Sequence, residues 1–433
     1  MTDRTTFARD ALPASPAGAS FLRELRERAF EEFTGLPVPS QETEEWRYTD
    51  LSTLELDFEP FAAGGDAEDL NRHGLLRAAA VVGERAGLQI QRNSEVISTR
   101  RAGGLEERGV WFGDLEAAAA ARPELVEPYL HQLVPTKRTM FTALHGAFRT
   151  GGTLLYVPPD TSLGLPLQTL TYLDADGGAV FPHTLLVVDR GSEVTFLDRY
   201  ASPDLTRGFS DAVTEIFVGD GAHVRYAAMQ DWGSGVTHLS VVRATVGRDA
   251  ELRTLSIGFG ADLARVENEV VLAEPGGFSE QLGVFFADGT QHFDHRSIQD
   301  HVAEHCTSDL LYKGALRDHS RAVYSGWVHV RPNAQKTDAM QTSRNIVLSE
   351  HAKADAIPNL EIEANDVRCG HAASVGPVDE DAIFYLESRG IPRAEAERLI
   401  VTGFFQEVLD RVTIDEVREG AEAAIADELG RVG

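Results

Sequence analysis

The chain of 433 residues has two cysteines, Cys306 and Cys369, which stand far apart with no C-x-x-C pattern. That scarcity excludes a disulfide framework. It also excludes an iron-sulfur site closed by thiolates of this chain alone, because such clusters are usually held by four protein ligands, mainly cysteines. Lysine is nearly missing, confined to Lys137, Lys313, Lys336 and Lys353, and acidic residues outnumber basic ones 68 to 40 for a net charge of -28. Nucleic acid and anionic lipid are bound through clustered cations, so neither is an expected partner. No window approaches ~18 consecutive apolar residues, which disfavours a membrane span. The opening "MTDRTTFARDALPASPAGAS" lacks an apolar core of signal-peptide length, so secretion is disfavoured and the cytoplasm is the expected compartment. Phosphate loops of the G-x-x-x-x-G-K-[ST] type, G-x-S-x-G elbows and H-E-x-x-H pairs are all absent. "GFGADL", Gly258 to Leu263, has two glycines of a dinucleotide fingerprint without the third and reads as a turn.

What is present is an ordinary globular balance, 42% hydrophobic and 25% charged, divided into three textures. Residues 1–150 read as mainly helical: Leu22, Leu25, Ala29 and Phe33 recur at helical spacing, "LPVPSQETEEW" breaks the pattern, and "GDLEAAAAARPELVEPYLHQLV" and "TKRTMFTALHGAFRTGG" read as further helices, the last stopped by Gly151 and Gly152. Residues 151–376 are β in texture. Aligned on Val194, Val224, Leu252 and Ser279, strand-turn-strand units recur every ~27–30 residues, a solenoid period. Regular short strands also suit a sandwich, and a parallel β-helix is the preferred reading because one repeat per coil runs so far without a helical insert. Residues 377–433 return to helix, where Ala396, Leu399, Ile400, Gly403 and Phe404 form one apolar stripe and Val401, Phe405, Val408 and Val412 a second. A helix with two apolar stripes buries two faces. The β core and the last helix account for them in the plainer reading, and a docked protein in the sharper one.

Two polar clusters invite a chemical reading. "QHFDHRSIQDHVAEHC" holds His292, Asp294, His295, His301, His305 and Cys306, but strand alternation places His292 and Asp294 on one face and His295 on the other, so a hydrogen-bonded stack within a β coil is expected over a metal site. "NDVRCGHAASVG" places Cys369 two residues before His371, on one side of a strand. That pair could be two metal ligands, a nucleophile and base oriented by Asn365 or Asp366, or a buried structural cysteine beside an unrelated histidine.

The run from "TSDLLYKGALRDHS" through "AQKTDAMQTSRN" and "ADAIPNLEIEANDVRCGH", then "FYLESRGI", "GFFQEVL" and the earlier "EEWRYTDLSTL", resembles the SufB/SufD family of the SUF iron-sulfur cluster assembly machinery, on its SufD side. The resemblance is dense from Gln291 to Val412 and thinner from Trp46 to Gly152. It implies a right-handed parallel β-helix core flanked by N-terminal and C-terminal helical regions, in a scaffold subunit that is not itself an enzyme. It further implies a SufB-like partner at the end of the β-helix and a SufC-like ATPase on the C-terminal helices, through Ile400, Gly403, Phe404, Phe405 and Val408. His371, beside Cys369, is then the ligand offered to a nascent cluster completed by the SufB-like partner. No cofactor is expected to be held tightly by the chain alone; the resemblance leaves open a flavin in the assembled complex and a homodimer of the isolated chain. A β-helix interaction module without a cluster role and a carbohydrate-active β-helix enzyme are the rival readings. The chain departs from the family pattern at Ala372, Ala373 and Ser374 after the histidine, and at His145, where the family commonly has Asn.

Overall fold

The computed structural model describes residues 6–65, 75, 83–412 and 415–430. Its centre is a parallel β-solenoid of about eight coils, built from two sheets of ten strands each. From Glu193 onward, successive strands fall alternately into the two sheets. One sheet passes through Glu193–Ala201, His223–Asp231, Glu251–Gly258, Phe278–Ala287, Thr307–Leu316 and Asp338–Val347 to Arg368–Pro377. The other passes through Gly208–Val218, Val236–Val246, Leu263–Leu272, His292–His301 and Arg321–Val330 to Lys353–Ile362.

The repeat alignment is the strand register. Val194 pairs with Val224, Val224 with Leu252 and Leu252 with Ser279, and the column continues through Ser308 and Ala339 to Cys369. One corner of each coil needs a left-handed backbone, and Asp160, Gly191, Gly221, Asp249, Gly276, His305 and Lys336 supply it in turn, all with positive φ. Gly and Asp adopt that conformation at least cost, which is why the turns carry them. Inside the early coils Val194, Val224 and Leu252 meet Leu186, Ile216 and Val242 in one apolar cluster. Each such side chain contributes about 1.5–3 kcal/mol by leaving water.

The N-terminal helix Ser20–Gly35 buries Leu22, Leu25, Ala29 and Phe33, as their spacing predicts. The helix Met140–Phe148 begins with a capping box at Thr139 and Thr142 and is buried throughout. Gly151 and Gly152 follow it at φ 63° and 89°. The expectation of a mainly helical region up to residue 150 is corrected in two places. Gly87–Arg92 and Glu95–Arg101 form an antiparallel hairpin at the start of the first sheet, and Trp111–Asp114 pairs antiparallel with Thr153–Val157 at the start of the second. The alanine-rich helix is also short, Leu115–Ala121, because Pro123 interrupts it. The antiparallel strands stand at the first end of the solenoid.

At the other end the chain leaves the last strand for the helices Glu380–Ser388, Arg393–Leu409 and Asp415–Gly430. Val401, Phe405, Val408 and Val412 pack on Leu255, Ile257, Leu282, Val284 and Leu311, on the outer face of the first sheet. Val417, Ala421 and Ile425 of the last helix complete that cluster. Among the described residues, no helix is long and apolar enough to cross a membrane.

Candidate functional site at the open end of the solenoid

Among the described residues, the final strands of the two sheets, Lys353–Ile362 and Arg368–Pro377, each pair on one side only. Each therefore presents a row of main-chain donors and acceptors with no ladder partner, a template for a strand from another chain. Most of their side chains are exposed or half-buried, in contrast to the buried strands beneath.

Cys369 and His371 lie on the last strand, in register with Ala339 and Gln341. Ala339, Gln341, Ser343 and Asn345 are the buried, inward positions of their strand. By register, Cys369, His371, Ala373 and Val375 project to the same inner side. They are less covered because no further coil lies above them. The strand alternation read from the sequence therefore holds: the two candidate ligands share a side.

Their surroundings differ. Cys369 is half-buried and packs against the small apolar cluster of Val328, Val330, Ala334, Ala339 and Ala364. Burial pushes its thiol above the ordinary value, the Asp338 carboxylate adds to the shift, and the Ala339 N–H opposes it. A shift in this direction favours the neutral thiol, which counts against Cys369 as an activated nucleophile. His371 is exposed and makes no hydrogen bond or ion pair within the chain among the described residues. Asp366 does not orient it, being ion-paired with Lys336 and accepting the Lys336 N–H on its carbonyl at 2.6 Å. His371 is thus free to take a ligand from outside.

The second polar cluster does not converge. His292 and Asp294 face the N-terminal segment, where Thr49 donates to Asp294 Oδ2 at 2.5 Å and Arg265 pairs with the same carboxylate. His295 points inward and stacks on Phe285 with ring centroids 4.7 Å apart, and burial lowers it to about 4. His301 lies 2.8 Å from Ser308 Oγ. His305 is a corner residue, and Cys306 is sealed in the core, its Sγ 3.4 Å from the Glu274 carbonyl.

The C-terminal helix sorts its two stripes. Phe405 and Val408 are fully buried against the chain's own sheet and so are not available to a docked protein, which corrects their expected place in a docking face. Phe404 is partly covered, with Lys313 Nζ donating to its carbonyl at 2.7 Å and lying 4.5 Å from its ring centroid. Leu399 and Gly403 are exposed and Ile400 is half-buried. Beside them the preceding helix exposes Phe384 at 72% and Tyr385 at 57%, two residues not singled out from the sequence. Their signal was present: Ile383 is buried, and two large aromatics directly after it cannot all turn to one face of a helix.

Two family models match the chain: "SUF system FeS cluster assembly, SufBD core domain" over residues 171–404, and "SufBD protein N-terminal region" over residues 14–169. The chain belongs to the SufBD family. Among its relatives, the iron-sulfur cluster assembly protein SufD of Bacillus subtilis is 32% identical over 410 residues, 92% of each chain. An iron-sulfur cluster assembly SufBD family protein of Mycobacterium tuberculosis is 36% identical over 305 residues, covering 68% of this chain and 75% of its own. One from Staphylococcus saprophyticus is 30% identical over 322 residues. Both matched regions together take in the N-terminal helices, the solenoid and its open end. Membership of this family places the chain in SUF iron-sulfur cluster assembly.

Proposed function

We propose that this chain is a non-catalytic scaffold subunit of a SUF assembly complex, and that its open end is half of a site where a nascent cluster is built. The observation that carries the reading is the pair of unpartnered edge strands with an uncommitted imidazole, His371, between them and solvent. A SufB-like protein adding its own strands to those edges would cover His371 and bring further ligands to it. With Cys306 in the core, the thiols and imidazole read from the sequence come down to Cys369 and His371, and the partner supplies the remaining thiolates. The cluster is cargo, passed on and not retained. A homodimer of the isolated chain would compete for the same edges.

A SufC-like ATPase would dock on the exposed strip of Leu399, Ile400 and Gly403 with Phe384 and Tyr385. That surface is tied to the open end through contiguous contacts. Glu407 on the docking helix pairs with Lys313 and, at 3.2 Å, with Arg344. Arg344 is in register with Ser374 of the last strand, three positions beyond His371. In this reading, ATP-driven movement of the helix shifts Glu407 and loosens the last strand pairing, opening the covered site to iron and sulfur. Such gating requires the ATPase to bind the two arrangements with different affinity.

The test is an anaerobic pull-down of the tagged chain from its host, with identification of the partners and iron, sulfide and flavin analysis of the eluate. Recovery of a SufB-like protein and an ATPase is the expected result. A chain that emerges alone, or with neither partner, would overturn the scaffold assignment. Cross-linking across the open end with and without ATP tests the gating, which fails if the pattern does not change.

A further inference from the structure

Three histidines from three separate elements meet where the N-terminal region packs on the solenoid. His131 lies in the turn after Leu125, His145 on the helix Met140–Phe148, and His183 at the start of the strand His183–Val188. All three are buried, and their ring centroids are 5.0 to 5.6 Å apart. One ring nitrogen from each lies within 4.8 Å of the others. Two of them fall in segments the family reading left without a role, and His145 is a point of departure from the family pattern.

The hydrogen bonds behind the rings set which nitrogens carry lone pairs. His131 Nδ1 lies 2.9 Å from the Val134 carbonyl and His145 Nδ1 lies 2.8 Å from the Asp211 carbonyl. A carbonyl only accepts, so both Nδ1 atoms are protonated and both Nε2 atoms are bare. His131 Nε2 is buried with no hydrogen-bond partner. His145 Nε2 faces His183 Nδ1 at 3.1 Å. On the far side of the same ring, His183 Nε2 sits 3.2 Å from Glu215 Oε2, within reach but without hydrogen-bond geometry. Glu215 is itself fixed, its oxygens accepting the N–H groups of His131, Leu133 and Val134 at 2.6 to 3.0 Å.

With Glu215 ionised, a neutral His183 cannot satisfy both neighbours; burial raises Glu215, and a proton on it is the alternative to an ion. With its proton on Nδ1, the Nε2 lone pair opposes the Glu215 carboxylate. With its proton on Nε2, the Nδ1 lone pair opposes that of His145. A cation between the rings resolves the conflict, and the second tautomer then gives every ring a protonated nitrogen turned toward an oxygen and a bare one turned inward. That is the arrangement of metal-bound imidazoles, whose outer N–H is held by a carbonyl or carboxylate. Two nitrogens 3.1 Å apart subtend roughly 100° at an ion about 2.05 Å from each, near the tetrahedral angle. Burial disfavours the charged form of all three rings, lowering His131 to about 3 and the other two well below their ordinary value. His131 also adopts a left-handed backbone at φ 57°, unusual for a buried non-glycine residue and held in place by the Glu215 contact to its N–H.

We propose that His131, His145 and His183 form a site for a divalent transition-metal ion of the zinc class, with Glu215 orienting His183 from behind. Neutral imidazoles suit that class of ion. Because His131 and His145 come from the N-terminal region and His183 from the solenoid, the ion fastens one to the other. The site is separate from the cluster reading at His371, and its test involves no cluster.

The full-length chain, stripped with chelator, is titrated with Co(II) and followed by visible absorption, with Zn(II) as competitor. One equivalent bound, with the intense bands of a low-coordinate nitrogen site, is expected; His371→Ala should bind identically. His145→Asn and His183→Asn should each weaken binding by at least about 100-fold, and Glu215→Gln by about 10–100-fold, the usual effect of losing an outer partner. Circular dichroism of each variant reports whether it folds. If the histidine variants do not, X-ray absorption of the zinc-loaded unmodified chain decides, with imidazole nitrogens and no sulfur expected. No saturable binding, a folded His145→Asn chain that still binds one equivalent, or sulfur in the coordination shell would overturn the site. The first outcome would mean that a shared proton, not an ion, satisfies the cluster.

Discussion

His371 stands directly in register with Gln341 across the last strand pairing of the first sheet, and the two differ by a single coil of covering structure. Gln341 is fully buried, and neither atom of its amide has a hydrogen-bond partner. His371, on the next strand out, is exposed. Replacing an exposed side chain with no hydrogen bond or ion pair among the described residues should change stability by no more than about 0.5 kcal/mol. His371→Ala is therefore expected to leave the melting temperature and partner recovery unchanged while iron and sulfide in the recovered complex fall to background. Unchanged metal content would remove His371 from the site.

Cys369 should behave as a sheltered thiol. Its raised pKa favours the neutral form in the folded chain, so this contribution to stability is present below the ordinary thiol value of about 8.5 and is lost as pH rises through it. Alkylation of the isolated native chain, followed against pH with peptide mapping of the labelled residue, should report an apparent pKa above that value. Fast labelling at neutral pH would show a thiolate instead, and would reopen the nucleophile reading.

The C-terminal helix gives a contrast between two nearby positions. Phe405→Ala should destabilise the chain by about 3–5 kcal/mol, because it empties a fully buried aromatic site between helix and sheet. Leu399→Asp, on the exposed strip, should leave stability nearly unchanged and abolish ATPase capture. Denaturation and pull-down on the same preparations separate the two effects. Equal capture by the Leu399 variant and the unmodified chain would place the docking face elsewhere.

Acid should weaken the solenoid through its inward histidines. Burial lowers His295 and His301 to about 4, whereas an unfolded imidazole titrates near 6.5. Below that value the unfolded chain binds protons that the folded chain does not. Stability is thus complete above about 6.5 and declines as pH falls toward 4, by roughly 1.4 kcal/mol per pH unit for each histidine. Urea midpoints measured from about pH 7 to pH 5 should fall less steeply for His295→Gln than for the unmodified chain. Identical slopes would mean that His295 does not carry this linkage.

The sequence was most readable where one residue position repeats. Val194, Val224, Leu252 and Ser279 disclosed the register because every coil must place the same kind of side chain at the same height. The hairpin Gly87–Arg101 was hidden because it occurs once, between helical stretches, although Leu88 and Ile90 alternate and Asn93 turns the chain at φ 51°. His371 was found through a resemblance of motifs, and nothing local to it announces a ligand. Of the residues expected to dock a partner, Phe405 and Val408 are buried on the chain's own sheet, since periodicity marks which residues share a stripe without saying which stripe meets the sheet. His131, His145 and His183 could not be linked at all, because only the packing of three distant segments brings them together.

The two ends of the solenoid also set how many neighbours it can have. Hairpin and antiparallel strands stand at its beginning, whereas the final coil ends in two parallel strands, each paired on one side only among the described residues. A head-to-tail chain of such molecules would have to join a parallel end to an antiparallel one, two edges with different hydrogen-bond patterns. Two bare ends meeting face to face use up each other's edges, and the assembly stops at a pair. On the proposed reading, pairing of this kind would make equal numbers of the two scaffold chains a property of geometry and not of expression level.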